Sequence, residues 1–349
     1  MQTFRPGLIA ICLLTAAALQ AGPGGGDGPA RPGTAGGIAD GTLLSSEPLT
    51  LEQTYDELDE LSRFRFPRGL YEEAREQTAY ETQRITYASD GLRITGYVCR
   101  PRRRDEGDLP AILYCRGGTA DFGALEPVEL VTFLQWARAG FVVIATNYRG
   151  GGGSEGVDTW CGADVDDVLN LAPLARQLGG IDTGNLFVVG LSRGGPMVYR
   201  ALKRGLPVQA AAVMAGVTDL RVPDMQRNEF IDGDDPEFRA IGWPGWRSLW
   251  PDYDVRRDEH LRARSAVAWA DSLAVPLLLL HARDDQRVPV EHALILADSL
   301  QAHGKEYELV VYGHDGHSLP LNRADRDAHI IGWFRAHLGG PAATDGGER

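Results

Sequence analysis

Six short apolar runs between residues 110 and 313 constrain the fold of this 349-residue chain more than any other feature. None of them alternates strictly between apolar and polar residues, and each is bounded by polar or glycine-rich stretches. This pattern is typical of strands that are buried between two layers of helices. The runs are PAILYC, FVVIATN, NLFVVGL, AAAVMA, VPLLLLH and YELVVYG.

Stretches with helical spacing separate most of these runs. Ahead of the first run, residues 84–101 alternate in polarity and predict a hairpin that turns at Ser89, Asp90 and Gly91. The succession of strands and helices predicts an α/β fold with a doubly wound, mostly parallel sheet, helices on both faces and an antiparallel start. The predicted helices lie near residues 128–139, 163–178, 195–204, 290–303 and 324–337.

The charge of the chain bears on its partners. It carries 48 acidic and 35 basic residues, which gives a formal net charge of -13. Such a surplus of negative charge repels a phosphate backbone, so nucleic acid is not expected as a partner. The hydrophobic share of 43% is ample for a large core.

Residues 1–21 have the layout of a signal peptide, with a basic lead at Arg5, an apolar run, and small residues at Ala18 and Ala21. The apolar run is too short to span a bilayer comfortably and glycines follow it, so an uncleaved anchor is disfavoured. The residue before Cys12 is not small, which disfavours lipid attachment. We therefore expect export to the periplasm or the extracellular space, with no stable membrane span after cleavage.

The other segment boundaries follow from composition and spacing. Glycine and proline dominate the residues after the signal peptide, which predicts a flexible tether. Residues 49–63 have helical spacing, with Thr50 as an N-cap residue type. The expected segments are a linker over 22–48, a helical lead-in over 49–81, an α/β domain over 82–340 with a cap insertion at about 217–261, and a flexible tail over 341–349.

Cys99, Cys115 and Cys161 remain once the signal peptide is removed. An odd number of cysteines cannot form a complete disulfide framework, and their spacing does not match a zinc knuckle. At most one bridge is possible. Buried free thiols are the expected state.

Two serines stand in the frame GxSxG, which is typical of a nucleophile held on a sharp turn. Ser192 directly follows an apolar run, and Pro196 then fits the first turn of a helix. Small residues at Gly190 and Gly194 let the strand and the helix pass closely. Ser154 lies several residues past its strand in a glycine-rich stretch, and no helix begins there. The context favours Ser192 as the nucleophile and Ser154 as a loop residue near the site.

A serine hydroxyl needs a general base, and the base needs an orienting carboxylate. In a fold of this kind, the acid and the histidine follow the serine, each on a loop after a later strand. Here VPLLLLH is followed by ARDDQRVPVEHA, and YELVVYG is followed by HDGHSLP. Acid and base candidates therefore occupy the right kind of loop in the right order.

With these motifs, residues 84–338 resemble the catalytic domain of the prolyl oligopeptidase family of serine peptidases, within the α/β-hydrolase superfamily. In that family the acid lies in DxxVP. The match here is DQRVP, which gives the role to Asp285 rather than Asp284. The family's base ends a GxGH-like loop, which GHDGHS matches at His317, with His314 as a bystander.

Neighbours of these residues have plainer interpretations. Asp284 is expected to cap the helix predicted after it, and His281, which ends an apolar run, is expected to be a satisfied core residue. His314 and His317 are three residues apart, but no third ligand has matching spacing, so no metal site is predicted.

The oxygen that becomes negative during acyl transfer needs hydrogen-bond donors. One donor is expected to be the backbone amide of Arg193, the residue after the nucleophile. The other comes from the loop CRGGTADFG, where related peptidases have HGG or a tyrosine before the two glycines. Arg116 stands in that place here, which favours a backbone amide of Gly117 or Gly118. The alternative interpretation of these glycines is a plain turn.

Substrate-binding residues are less clearly marked. Trp243 and Trp246 either wall an apolar pocket or pack the cap onto the domain. Arg287 has the place of an arginine that contacts substrate in prolyl oligopeptidases, and a structural ion pair is the alternative. Arg116 is a further candidate for contact with substrate.

The resemblance implies an exported serine hydrolase that cleaves peptide bonds through Ser192, Asp285, His317 and an acyl-enzyme, without a metal or organic cofactor. A carboxylesterase that acts on small acyl esters would use the same residues. A non-catalytic binding module on a hydrolase scaffold is the third hypothesis, and the intact set of three residues argues against it. The sequence leaves the oligomeric state open.

Overall fold

The computed structural model describes residues 37–102 and 107–339. Within these ranges the strands form one nine-stranded sheet. The strands are β1 (Leu43–Pro48), β2 (Tyr80–Ser89), β3 (Leu92–Pro101), β4 (Leu109–Cys115), β5 (Val142–Thr146), β6 (Ile181–Leu191), β7 (Ala210–Met214), β8 (Leu277–Ala282) and β9 (Tyr307–Tyr312).

The sheet has the order β1-β2-β3-β5-β4-β6-β7-β8-β9. Strands β1, β2, β3 and β5 pair in antiparallel fashion, and every pair from β5 through β9 is parallel. The hairpin between β2 and β3 turns at Asp90 and Gly91, both with positive φ. The predicted α/β fold, with a mostly parallel sheet and an antiparallel start, is confirmed.

Helices cover both faces of the sheet. They are α1 (Glu60–Arg65), α2 (Arg68–Glu76), α3 (Leu130–Arg138), α4 (Val165–Leu169), α5 (Leu171–Leu178), α6 (Gly194–Lys203), α7 (Asn228–Asp232), α8 (Pro236–Ala240), α9 (Trp246–Leu249), α10 (Tyr253–Ala263), α11 (Glu291–Ala302) and α12 (Arg323–Ala336). Shorter 3₁₀ turns are Tyr55–Glu57, Pro127–Glu129, Pro223–Gln226 and Ala266–Ser272.

Each face of the sheet carries its own hydrophobic core. In β4, Ala111 and Leu113 belong to one core, and Ile112 and Tyr114 belong to the other, because successive side chains of a strand point to opposite faces. Helices α4, α5, α6 and α11 contribute to the first core, and α2, α3 and α12 contribute to the second. Burial on both sides explains why the central runs have no polar face.

The first described residues differ from the prediction. Strand β1 pairs with β2 and takes up the last six residues of the segment expected to be a flexible linker. The pairing continues at Leu49, whose amide donates to Thr82 O at 2.9 Å, so Thr50 cannot cap a helix there. The first α-helix begins only after Asp59, whose carboxylate accepts the Ser62 amide at 2.9 Å.

One predicted helix is divided in two. The stretch 163–178 forms α4 and α5, which meet at Asn170. Pro173, in the first turn of α5, has no amide hydrogen and cannot continue the hydrogen bonding of α4. The segment between β7 and β8 contains α7 to α10, in the region where the cap insertion was expected.

The three cysteines described by the structure are buried free thiols, as predicted. Burial raises the pKa of each of them to about 12. The expected signal peptide, the linker up to residue 36 and the C-terminal tail lie outside the described residues. Within the described ranges, no helix combines the length and the apolarity needed to cross a membrane.

Replacement of Gly332 by alanine is expected to stabilise the fold. Gly332 lies inside α12, where a methyl group would meet no atom within 4 Å. Alanine costs less backbone entropy than glycine in a helix, so the free energy of unfolding should rise by about 1 kcal/mol. Gly195→Ala in α6 is the matched control, because its Cβ would lie 2.8 Å from Gly216 Cα. Urea unfolding that shows the same sign for both variants would contradict this prediction.

Candidate active site

Ser192 occupies the turn between β6 and α6 at the carboxyl edge of the sheet. Its φ is 56°, in the left-handed region that residues other than glycine rarely adopt. The Ser192 amide donates to Met214 O of the neighbouring strand β7 at 2.8 Å. This strained strand-turn-helix geometry presents the half-buried serine above the sheet.

The glycines around Ser192 are required by close backbone approach. A Cβ on Gly190 would lie 2.4 Å from Gly194 O, and a Cβ on Gly194 would lie 2.1 Å from Cys115 O. Neither side chain can be accommodated without moving backbone. The two glycines of this GxSxG motif are therefore required by the close packing of backbone around Ser192.

The serine of the second frame has a structural role. The Ser154 hydroxyl accepts the Thr95 amide at 3.0 Å and lies 3.1 Å from the Thr95 hydroxyl. These contacts fasten the glycine-rich loop to β3. The Ser192 hydroxyl, in contrast, has no hydrogen-bond partner among the described residues.

Asp285 and His317 lie on the loops that follow β8 and β9, and they contact each other. His317 Nδ1 is 2.8 Å from Asp285 Oδ2. The other carboxylate oxygen of Asp285 accepts the amides of Arg287 at 2.8 Å and Val288 at 3.1 Å. Asp285 is buried, whereas His317 is partly exposed. The carboxylate is thus fixed, and it fixes the imidazole in turn.

The surroundings keep Asp285 ionised. Burial raises the pKa of its carboxyl, but hydrogen bonds from His281, His317 and the Arg287 amide together lower the pKa more strongly. The net pKa of Asp285 lies well below the usual range for aspartate. A negative carboxylate therefore faces His317 at neutral pH.

His281 is a neighbour of the acid that the sequence did not connect with it. This histidine was expected to be a satisfied core residue. It is buried, and its Nε2 donates to Val288 O at 2.8 Å, but the same atom also lies 3.4 Å from Asp285 Oδ2. His281 therefore helps to hold the acid loop against β8.

Asp284 and His314 form a separate pair. Asp284 contacts Arg283 at 3.0 Å and His314 at 3.2 Å, and all three side chains are exposed. The expected cap of α11 by Asp284 is not formed, because the helix begins only at Glu291, with Val290 at the N-cap position and no side-chain cap. His314 and His317 face different carboxylates.

The loop after β4 lies beside the serine. A Cβ on Gly117 would be 3.1 Å from Ser192 Cβ and 3.8 Å from Ser192 Oγ. In the part of the chain that the structure describes, the backbone amides of Gly117, Gly118 and Arg193 donate to no protein acceptor. They are the amides expected to bind an oxyanion.

Arg116 does not have the surface position of a substrate-binding residue. It is 2% exposed, and its guanidinium donates to the carbonyls of Asn147 at 2.9 Å, Gly117 at 2.9 Å and Ala120 at 2.6 Å. The prediction that Arg116 contacts substrate is wrong, because its guanidinium is bound to backbone carbonyls of its own loop and of Asn147.

Trp243 and Trp246 are also buried. They are 5% and 0% exposed, and both rings contact Trp160 at centroid distances of 6.2 and 6.1 Å. Trp250 donates from Nε1 to Thr159 O at 3.1 Å. The tryptophans pack the cap onto the loop after β5, so a pocket-wall role for Trp243 and Trp246 is not supported.

Arg287 is the one substrate-binding candidate with a surface position. Its side chain is exposed and makes no ion pair within the described residues. Its backbone is held by Asp285, so the guanidinium projects from a fixed point next to the acid. Contact with substrate stays a prediction.

Sequence reasoning missed a buried charge cluster beneath the site. The Arg193 guanidinium pairs with both Asp158 and Asp164, and all three residues are buried. Burial lowers the pKa of Arg193, but the two carboxylates raise it more, so the charge is retained. The two aspartates stand in no recognisable motif, and only the folded chain brings them to Arg193.

A comparison with known protein families matches residues 130–341 to the prolyl oligopeptidase family, which is more than half of the chain. The chain belongs to the prolyl oligopeptidase family. Membership makes this protein a serine-type hydrolase with the α/β-hydrolase fold, and it favours a peptidase over an esterase.

Individual relatives agree with this family assignment. The chain is 29% identical over 237 residues to "Uncharacterized peptidase YtmA" of Bacillus subtilis (strain 168), which covers 68% of this chain and 86% of that protein. It is 28% identical over 271 residues to "Acylamino-acid-releasing enzyme 2" of Oryza sativa subsp. japonica, covering 72% of this chain and 33% of that enzyme.

Solved structures of peptidases are similar in fold to this one. The acylaminoacyl peptidase of Pyrococcus horikoshii matches with a TM-score of 0.59 at 20% identity, over 78% of this chain and 44% of that chain. This protein therefore spans most of the bacterial relative but less than half of the larger enzymes. The similarity to the archaeal structure concerns the fold.

A buried histidine behind the acid loop predicts a pH dependence of stability. His292 Nδ1 accepts the Thr218 amide at 3.2 Å, so the ring proton is on Nε2, which has no partner among the described residues. Burial, with a smaller contribution from His281, lowers the pKa of His292 from 6.5 to about 4. Between pH 6.5 and about pH 4, the unfolded chain therefore carries a proton on His292 that the folded protein does not bind.

The free energy of unfolding should fall as the pH decreases from about 7 to 4, with a contribution from His292 on the order of 3 kcal/mol. His292→Asn removes the titrating group, so its pH dependence should be shallower than that of the wild type in urea unfolding at several pH values. A stability difference between the two proteins that stays constant from pH 7 to 4 would contradict this.

Proposed function

We propose that this serine-type hydrolase cleaves peptide bonds with Ser192 as nucleophile, His317 as general base and Asp285 as the residue that orients the base. The observation that carries the proposal is the hydrogen bond of 2.8 Å between His317 and Asp285 at the same edge of the sheet as the strained turn of Ser192. A hydrogen-bonded carboxylate and imidazole, placed after the serine in chain order, fit this role.

The proposed reaction begins with attack of Ser192 Oγ on the carbonyl carbon of the substrate. The Nδ1–H group of His317 donates a hydrogen bond to Asp285 and keeps its proton, so Nε2 is the atom that accepts the serine proton. The oxygen of the tetrahedral intermediate receives hydrogen bonds from the Arg193 amide and from Gly117 or Gly118. His317 then protonates the leaving amine, and water activated by the same imidazole hydrolyses the acyl-enzyme.

Removal of the Ser192 hydroxyl should abolish turnover without affecting the stability of the fold. Ser192→Ala is expected to lower kcat by about 10⁴-fold or more, since the nucleophile is lost. The melting temperature should hardly change, because the hydroxyl makes no hydrogen bond within the described residues. Turnover and thermal unfolding of purified protein check both expectations.

Ser154→Ala is the matched control, because it removes the serine from the other GxSxG frame. It should keep its turnover and lose about 1 kcal/mol of stability with the contacts to Thr95. Near-normal turnover in Ser192→Ala would overturn the proposed nucleophile.

Peptides are the proposed substrates because of the family and because a relative is named for release of acylamino acids. We expect measurable kcat/KM for N-acylated peptide anilides, measured beside p-nitrophenyl esters of short acyl chains. Esters are easier acyl donors and should also react, so the amide substrates decide. Turnover confined to esters would indicate the carboxylesterase instead.

Reaction with a fluorophosphonate probe separates an enzyme from a binding module. Native protein should be labelled at Ser192, and Ser192→Ala should not be labelled. Absence of labelling in the native protein would favour the non-catalytic hypothesis. Export of the protein is part of the proposal and rests on residues 1–21 alone.

A further inference from the structure

We infer that Arg116 and Arg193 are positioning residues, whose side chains preform the oxyanion hole by holding the carbonyls of Gly117 and Gly118 and thereby the loop that carries the candidate amides. The inference rests on the proposed function, because it concerns the amides that would bind the oxyanion. It assigns a role to two buried guanidinium groups that do not themselves reach the substrate.

The direction of the two candidate amides follows from the carbonyls beside them. In a trans peptide, the carbonyl of one residue and the amide of the next point in opposite directions. Arg116 O accepts the Tyr148 hydroxyl at 3.0 Å, and Gly117 O accepts Arg116 Nη1 at 2.9 Å. With these carbonyls held in the protein interior, the amides of Gly117 and Gly118 are directed the other way.

Arg116 fastens this loop from one side. Besides Gly117 O, its guanidinium binds Ala120 O at 2.6 Å and Asn147 O at 2.9 Å, so it joins the loop to the end of β5. It makes no ion pair in the described part of the chain. Arg116 Nη1 also donates to Phe122 O at 3.2 Å, so a peptide flip at residue 117 would remove one of its two acceptors, and loss of a buried hydrogen bond is costly.

Arg193 fastens the loop from the other side. Its Nη1 donates to Gly118 O at 3.0 Å. Its partner Asp158 accepts the Ala120 amide at 2.8 Å and the Thr119 hydroxyl at 3.2 Å. The residue that supplies the first donor amide is thereby linked through its own side chain to the loop that supplies the second.

Glycine at position 118 completes the arrangement. Its φ is 77°, and a Cβ there would lie 2.0 Å from Phe122 O. The loop therefore folds back on itself at Gly118, where a side chain would collide with backbone. Together these contacts hold the donor amides ready before substrate binds, which avoids a reorganisation cost during reaction.

Substitution of Arg116 tests this role. Arg116→Met keeps the length of the side chain and removes every donor, and Arg116→Lys keeps the charge but not the fork that binds several carbonyls. We expect kcat for a peptide anilide to fall by about 10- to 100-fold in both variants, with KM within about twofold, because the loss is confined to transition-state binding. Affinity for a peptide boronate should fall in parallel with kcat/KM.

Arg100→Met is the matched control. Arg100 is also a buried arginine, paired with Glu81 at 2.9 Å and with Leu178 O at 3.0 Å, but it lies at the opposite end of β3 from the loop after β5. It should lower the melting temperature and leave kcat unchanged. If the Arg116 variants lose stability as Arg100→Met does and keep wild-type kcat and boronate affinity, the inference is wrong.

Asp158→Asn provides a second test if the Arg116 variants do not fold. It keeps the size of the side chain and weakens the hold on Arg193 and Ala120, so the same loss of kcat and boronate affinity is expected. Wild-type kcat and boronate affinity in this variant would overturn the role of Arg193.

Crystal structures of the variants separate this inference from the proposed function. A wild-type protein without turnover would refute the function, but the orientation of the Gly117 carbonyl in Arg116→Lys can still be observed. A rotated or disordered peptide at residue 117 would support the inference. An unchanged peptide plane would overturn it.

Discussion

The left-handed turn at Ser192 is the constraint on which the rest of the structure depends. It requires β4, β6 and β7 side by side, because Gly194 packs on Cys115 O of β4 and the Ser192 amide binds Met214 O of β7. Strands in this arrangement are buried on both faces, so their sequences must be apolar throughout. The nucleophile candidate and the core of the sheet are thus two consequences of one close packing of backbone.

The charged side chains beneath this turn are buried, and protein groups rather than water compensate their charge. Arg193, Asp158 and Asp164 form ion pairs away from water, and Arg116 is surrounded by carbonyl oxygens instead of carboxylates. Removal of one partner from such a set leaves a buried charge or donor, which costs more than the intact contact contributes. Such clusters define one geometry for the loop after β4, which carries the proposed oxyanion donors Gly117 and Gly118.

Much of the architecture could be predicted because local sequence patterns determine where the strands and helices lie. The strand and helix alternation predicted the sheet, and Asp285 and His317 could be picked out because their loops resemble a family motif. The linker prediction was wrong where local pattern and tertiary contact disagree, because residues 43–48 resemble a linker in composition but pair with β2. Of the two roles left open for Trp243 and Trp246, the contacts with Trp160 support packing of the cap.

The sequence by itself determined the α/β fold, the strained serine frame and the order of the candidate serine, acid and histidine, because each depends on neighbours along the chain or on a motif. Only the tertiary structure decided the contacts of Arg116, Asp158, Asp164 and His281. Their partners lie on other loops and strands, and hydrogen bonds between distant segments leave no periodic pattern in a single sequence. Burial also depends on the whole fold, and it overturned the prediction that Arg116 contacts substrate.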